Sequence, residues 1–333
     1  MSPPTFLVTA SPHLKGPATT PTIMWNVVGA LFPIVVAAGY FFGIGALLVI
    51  GSATLGAVVA ERVLGPHRSL WDGSGMITGL LLGLTLPPGL PLWMAFVGGV
   101  FSIGVGKLIF GGLGQNIFNP ALVGRAFLQA AFPVAITTWP GDQAVGFWTL
   151  SPGQTALPLM TAGADGLSGA TPLGLMKFEG VTTPVSNLLL GSIGGSAGET
   201  SAVLITLCGL YLALRNFLNW RIPVSIFLAV ALLSGLVHVV DPTTPSPLFM
   251  LFGGGLILGA WFMATDMVTS PVTNKGCWIF GAGIGAVVVV IRLWGGLPEG
   301  VMYAILLMNA LVPYLNQWTQ PRVFGNGNRE VVS

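Results

Sequence analysis

Asp165-Gly166-Leu167-Ser168-Gly169-Ala170-Thr171 places one hydroxyl at the end of a run of small residues. Glycine accepts backbone conformations that other residues resist, so a modifying enzyme could grip this stretch closely. The Thr171 hydroxyl would then be the attachment atom. The competing reading is a Gly/Ser turn in an exposed loop. Seven positions in fixed order are more specific than one glycine-rich turn, and the motif is a hypothesis that its context must support. The surrounding stretch also offers Thr155, Thr161, Thr182 and Thr183 as other hydroxyls.

Other polar residues interrupt apolar runs. Asn116, Asn119 and Arg125 fall at or inside one such run. An Arg at mid-bilayer costs about 2.5–3.5 kcal/mol on insertion scales, so it has a partner or a function. The structural alternative is interhelical hydrogen bonding that fixes a broken helix, with Arg125 paired to a carboxylate. Asp72 and Asp266 flank apolar runs in comparable places of the two halves, and both could line an ion path. Asp72 could equally be a helix N-cap. Glu199 opens another run and reads as an ordinary dipole partner. His13, His67 and His238 are scattered and form no metal site. Cys208 and Cys277 stand alone, which argues against a disulfide framework or an iron–sulfur site.

These residues sit in a chain built for lipid. Hydrophobic residues make up 53% of 333 and charged residues 7%. A soluble domain carries about 25% charged residues, so most of this surface must face a membrane. The 48 glycines fit closely packed membrane helices. A net charge of +2 without a Lys/Arg run gives no footprint for nucleic acid. Residues 1–21 are polar and Pro-rich, unlike a cleavable signal peptide.

A span needs about 20 apolar residues. The pattern predicts an all-α polytopic protein with about ten: 22–42, 44–64, 73–87, 92–111, 117–132, 199–216, 221–240, 247–264, 277–294 and 298–318. The third ends at Leu86-Pro87-Pro88-Gly89, which no continuous helix survives. Short, interrupted spans mark binding regions in transport folds. Most Trp residues, including Trp25, Trp71, Trp93, Trp220, Trp261, Trp278 and Trp294, fall near span ends as an aromatic belt. With both termini cytoplasmic, Lys15, Arg62, Arg68, Lys107, Arg215, Arg221, Lys275, Arg322 and Arg329 all lie inside, as basic residues prefer. Lys177 and Arg292 fall outside. The segments are then 1–21 inside, a first five-helix repeat 22–132, an extracytoplasmic loop 133–198 with Thr171, a second repeat 199–318, and a cytoplasmic tail 319–333. Lys107-Leu108-Ile109-Phe110-Gly111-Gly112 and Arg292-Leu293-Trp294-Gly295-Gly296 occupy matching places. Five spans per half would make the repeats inverted.

Three motifs together carry a resemblance. They are the run ending at Thr171; Gly114-Gln115-Asn116-Ile117-Phe118-Asn119-Pro120-Ala121-Leu122-Val123-Gly124-Arg125-Ala126-Phe127; and Gly191-Ser192-Ile193-Gly194-Gly195-Ser196-Ala197-Gly198-Glu199-Thr200-Ser201. From about Ser11 to about residue 318 the chain resembles one family of membrane proteins. That family unites the D component of the Rnf complex (RnfD) with the B component of the sodium-pumping NADH:quinone oxidoreductase (NqrB). The short start points to the Rnf side. The resemblance implies a urea/ammonium-channel-like fold with two inverted five-helix repeats. It implies FMN carried on Thr171 through a phosphoester, with Asp165, Ser168, Gly169 and Ala170 as its recognition motif. It also implies a noncovalent riboflavin. Asn116 and Asn119 could meet a flavin's pyrimidine edge, and Arg125 could neutralise a reduced ring. Implied partners are the other Rnf subunits, among them a second covalent FMN protein, and a flavin transferase during maturation. Rnf complexes couple electron transfer between ferredoxin and NAD⁺ to movement of Na⁺ or H⁺ across the bacterial or archaeal inner membrane. The chain has no nicotinamide-binding fingerprint and no ferredoxin-type Cys run, so it would be one relay in that complex. The alternatives are the quinone-reductase component and a solute channel without redox chemistry.

Overall fold

The computed structural model describes residues 19–65, 72–140, 147–151, 153–158, 160, 168–191, 193–199 and 201–321. Among these the architecture is helical. The only strand pairing among them is a two-residue antiparallel bridge, Trp139↔Gly169 and Pro140↔Ser168.

Helix α1 (Thr20–Leu64) holds the first two predicted spans. Its 45 residues would reach about 67 Å if straight, twice the hydrocarbon thickness. It folds back at Gly43, whose φ of 74° and ψ of −168° belong to a region essentially reserved for glycine. A Cβ on Gly39 would meet the Leu47 side chain at 3.0 Å, so the two arms lie face to face. The loop covers this hairpin tip: Ile44 donates its N–H to the Phe147 carbonyl at 2.9 Å. Gln154, fully buried, donates to the carbonyls of Gly45 at 2.8 Å and Pro88 at 3.1 Å.

Several later spans are shorter than the apolar pattern predicts and some are broken, whereas the predicted 221–240 is matched and 277–294 is lengthened to Asn274–Trp294. Helix α2 (Ser74–Leu84) stops before Pro87-Pro88. The orphaned carbonyls at its end accept from the backbone of the Gly-rich third motif, Gly198 to Leu84 and Ala197 to Leu86. Helix α3 (Leu92–Ile103) continues as a π-helical turn, Gly104–Leu108, and α4 (Pro120–Ala131) follows. The predicted loop 133–198 carries the short helices α5 (Pro133–Thr137), α6 (Pro172–Gly174), a π-turn (Leu175–Glu179) and α7 (Val185–Leu190). Helix α8 is Ala202–Leu214 and α9 Arg221–Val240. The predicted span 247–264 is instead α10 (Pro247–Phe252), α11 (Leu256–Leu258) and a π-turn (Gly259–Met263), divided at Gly253-Gly254. Helices α12 (Asn274–Trp294) and α13 (Val301–Thr319) complete the bundle.

Thr20–Leu64, Arg221–Val240 and Asn274–Trp294 are long and apolar enough to cross a membrane. One buried apolar core runs through both halves, from Leu31 and Ile50 to Phe280 and Ile305. Large apolar side chains such as Tyr40, Leu232, Val239 and Leu307 point outward instead, as a lipid-facing surface requires.

Candidate functional site

The two groups of candidate residues sit at opposite ends of the bundle. Gly43 and its Phe147 cover lie at one end, and residues 23–27 of the same α1 arm lie at the other. Sixteen helical residues from Val27 to Gly43 correspond to about 24 Å. Helix α12 repeats the separation in the second half. Its C-terminus receives the Thr171 segment, and Asp266–Val268 lie just before its N-terminus.

At the first end, Thr171 is the N-cap of α6. Its hydroxyl oxygen accepts from the Gly174 N–H at 3.1 Å, which leaves the hydroxyl proton replaceable. Ala170 is exposed and Thr171 half-buried, so the oxygen is reachable. Ser168 and Gly169 form the bridge to Trp139-Pro140 that leads into this cap. Asp165 lies outside the described residues. Leu173 is buried against Phe249 and Leu188. Lys177 donates to three carbonyls: Ile291 at 3.0 Å, Arg292 at 3.0 Å and Leu297 at 2.9 Å. Partial desolvation pulls its pKa below the ordinary lysine value.

Beneath this segment lies a buried charge cluster. Arg292 donates to Met250 O at 2.6 Å, Gly253 O at 2.9 Å and Glu299 at 3.3 Å, satisfying carbonyls freed where α10 ends. Glu299 also accepts from the Gly255 N–H at 3.1 Å. Glu199 precedes α8 rather than opening it, because Ser201 takes the N-cap. It is buried, with Ser196 donating to it at 2.9 Å. Arg125 interacts electrostatically with Glu199, but among the described residues no carboxylate pairs with it within 4 Å, and its Nε is buried without a partner.

At the opposite end a partly open cleft is lined by both halves of the chain. Asn116, Asn119 and Asp266 all line it, so three residues singled out in the sequence meet here. Asn119 caps α4 by accepting from Ala121 N at 3.0 Å and Leu122 N at 3.4 Å, and donates to Met263 O at 3.1 Å across the halves. Asn309, its amide oriented by its neighbours, accepts from Asn119 N at 3.1 Å. Asn119 therefore acts first as the junction that holds α4's N-terminus against the second half. Asn116 donates to Phe118 O at 3.3 Å. Asp266 accepts from Val268 N at 3.3 Å and from the Thr269 hydroxyl at 3.2 Å, the geometry of a turn. Asp72 accepts from Ser74 N at 2.8 Å, a turn that leads into α2, whose N-cap is Gly73 rather than Asp72; Asp72 is not among the cleft-lining residues.

The cleft's cation is Lys107, not Arg125, which does not line it. The charge asymmetry puts Lys107 among the cytoplasmic-side basic residues; it is buried because Glu61 and the Ser74 hydroxyl both take its ammonium at 2.5 Å. A charge inside the apolar run 92–111 is the available signal, but its partner is 46 residues away. Trp261 also differs from the aromatic belt expected for it. It is buried, lines the cleft, and its indole N–H has no partner. The N-termini of α2 and α4 converge on the same space, since Ser74 and Ala121 line it. The Lys107–Glu61 pair and the two helix starts make this wall polar, while Ile77, Leu81, Leu212 and Phe262 make the rest of the lining apolar, the mix of a small-molecule site.

A helical bundle with a lipid-facing surface and broken helices around a largely apolar cleft is a polytopic membrane protein. Residues 7–325 match the family described as NQR2, RnfD, RnfE, and the chain belongs to it. Its relatives are D subunits of ion-translocating complexes. It is 42% identical to that of the proton-translocating ferredoxin:NAD(+) oxidoreductase complex of Clostridium ljungdahlii, over 96% of both chains. It is 43% identical to that of the ion-translocating oxidoreductase complex of Stutzerimonas stutzeri, over 92% of both. Identity to that of the Na(+)-translocating ferredoxin:NAD(+) oxidoreductase complex of Acetobacterium woodii is 39%, over 96% of this chain and 95% of that one.

Proposed function

We propose that this chain is the D-type membrane component of an Rnf-type complex. It relays electrons between ferredoxin and NAD⁺ and takes part in coupling that flow to Na⁺ or H⁺ movement. The observation that carries the reading is the Thr171 hydroxyl, closing its seven-residue motif on a docked segment in a chain of this family. FMN bound there through its phosphate would supply reversible electron carriage that turnover cannot wash out. The residues present fit it: the Thr171 oxygen accepts from Gly174 N–H so its proton is replaceable, and Thr171 is half-buried beside an exposed Ala170.

The chain's own contribution is position and field. Leu173 and Lys177 fix the acceptor segment. The cleft at the far end is the proposed seat of a noncovalent riboflavin. There the Lys107–Glu61 pair and the α2 and α4 N-termini would set the local field. Asn116 would face the ligand, with Asn119 holding the helix start. The two seats lie on opposite membrane faces, the Thr171 end extracytoplasmic and the cleft cytoplasmic. This supports charge crossing the bilayer within one chain. The proposed topology has both termini cytoplasmic in the inner membrane and ten spans in two inverted five-helix repeats. It is supported by the matched positions of Lys107 and Arg292, each buried with a carboxylate at the end of a corresponding element. Partners would be the other Rnf subunits, including a second covalent FMN protein, and an exported flavin transferase.

Intact-mass spectrometry of the chain and of Thr171→Val, each co-expressed with a flavin transferase, tests this. The expected result is a gain of one FMN that the variant lacks. No gain in the parent, with the transferase active on a control, refutes the flavin reading and favours a channel.

A further inference from the structure

We propose that Lys177 is the positioning residue for the flavin on Thr171, acting as a clamp on the carbonyl end of α12. The inference rests on the reading that Thr171 carries a flavin. A lysine six residues from a phosphate-bearing threonine would ordinarily be read as a phosphate ligand. The geometry assigns it otherwise. An ammonium has three donors, and here all three are spent on the carbonyls of Ile291, Arg292 and Leu297. Ile291 and Arg292 belong to the last turn of α12, where a cation is favoured; the Ile291 carbonyl also accepts the Gly295 N–H at 2.9 Å, so Lys177 adds a second donor there.

The clamp has a second jaw. Leu173 lies four residues before Lys177, so both can face the bundle while Ala170 and Phe178 stay exposed. Leu173 packs where only glycine fits. Gly254 has φ +66°, and a Cβ there would lie 2.6 Å from Leu173 Cδ1 and 2.7 Å from Glu299 Oε2. The anchor point is itself rigid. Arg292 lends its carbonyl to Lys177 and its guanidinium to Met250, Gly253 and Glu299. A phosphoester tether turns freely about several bonds, so the ring's position is only as defined as the backbone that bears it. Two side chains fasten that backbone to the membrane domain.

The test uses the assembled complex with Lys177→Met and Lys177→Arg, read by intact mass, hydrogen exchange of residues 170–180, flavin fluorescence anisotropy and turnover. In Lys177→Met the FMN mass on Thr171 is expected to stay. Exchange should speed up about tenfold, as loss of charge-assisted bonds implies. Anisotropy should fall, and kcat should drop with KM for NAD⁺ unchanged. Lys177→Arg, which keeps the charge in a different donor geometry, should fall between. Parent-like exchange and anisotropy in Lys177→Met overturn the inference. If that variant does not accumulate, Lys177→Arg decides alone: intermediate exchange supports the clamp and parent exchange refutes it. A parent without FMN on Thr171 sinks the flavin reading, while the exchange arm still judges the clamp.

Discussion

Trp261→Phe separates a ligand-binding cleft from a packing defect. The indole N–H is a buried donor with no partner, in a residue that lines the cleft. Leaving such a donor unsatisfied costs about 1–3 kcal/mol in the empty protein, so removing it returns that energy. Phenylalanine is smaller by roughly 40 Å³, and a cavity of that size costs about 1 kcal/mol at ~24 cal/mol per Å³. The two effects nearly cancel, and the thermal midpoint of the purified variant should stay close to that of the parent. A ligand that accepts from the N–H would lose a hydrogen bond of about 0.5–1.5 kcal/mol, a two- to twelvefold weakening. The assay is paired: thermal unfolding in detergent, and titration of riboflavin by quenching of its fluorescence. Unchanged affinity with unchanged stability would refute the donor role. A large loss of stability would show that the ring's shape, packed against Gly209, matters more than its N–H.

Three further substitutions test the scaffold. Arg292→Met should destabilise by about 3–5 kcal/mol, because it strands Glu299 and two carbonyls beneath the acceptor segment. Glu299→Gln, at a partly exposed carboxylate, should cost less; denaturation of both variants in mixed micelles checks the order. Gly43→Ala should cost about 1–3 kcal/mol, since its backbone region excludes side chains and a Cβ would sit 3.0 Å from Phe147 O. A thermal midpoint equal to the parent's would refute that.

The hairpin of α1 is legible in the sequence in an indirect way. The two apolar runs leave a single residue between them, and that residue is Gly43, where the helix turns. Pro87-Pro88 likewise announces the end of α2. The break at Gly253-Gly254 is hidden, because an apolar run containing glycines reads as continuous when its hydrogen bonds are not visible. What stabilises that break is Arg292, about forty residues later, and no local pattern encodes such a pairing. The candidate site divides the same way. Asn116, Asn119 and Asp266 are conspicuous as polar residues near apolar runs, and they share one cleft. Lys107 shows its sign in the sequence but not its burial, which depends on Glu61 in a different helix. Trp261 is indistinguishable by type from tryptophans at the lipid interface; only its environment marks it.

The Lys177 clamp also sets a clock. Its first carbonyl partner lies 114 residues downstream, so the docked state cannot exist until most of the second half has been made. At about 5–20 residues per second that is a delay of roughly 6–23 s. During it Thr171, the proposed flavin acceptor, would emerge on an unfastened strand that another enzyme's active site could take in. Once α12 arrives the strand is tied down and the hydroxyl half-covered. Attachment and docking thus compete for the same stretch of chain, and the order of synthesis gives attachment the first opportunity.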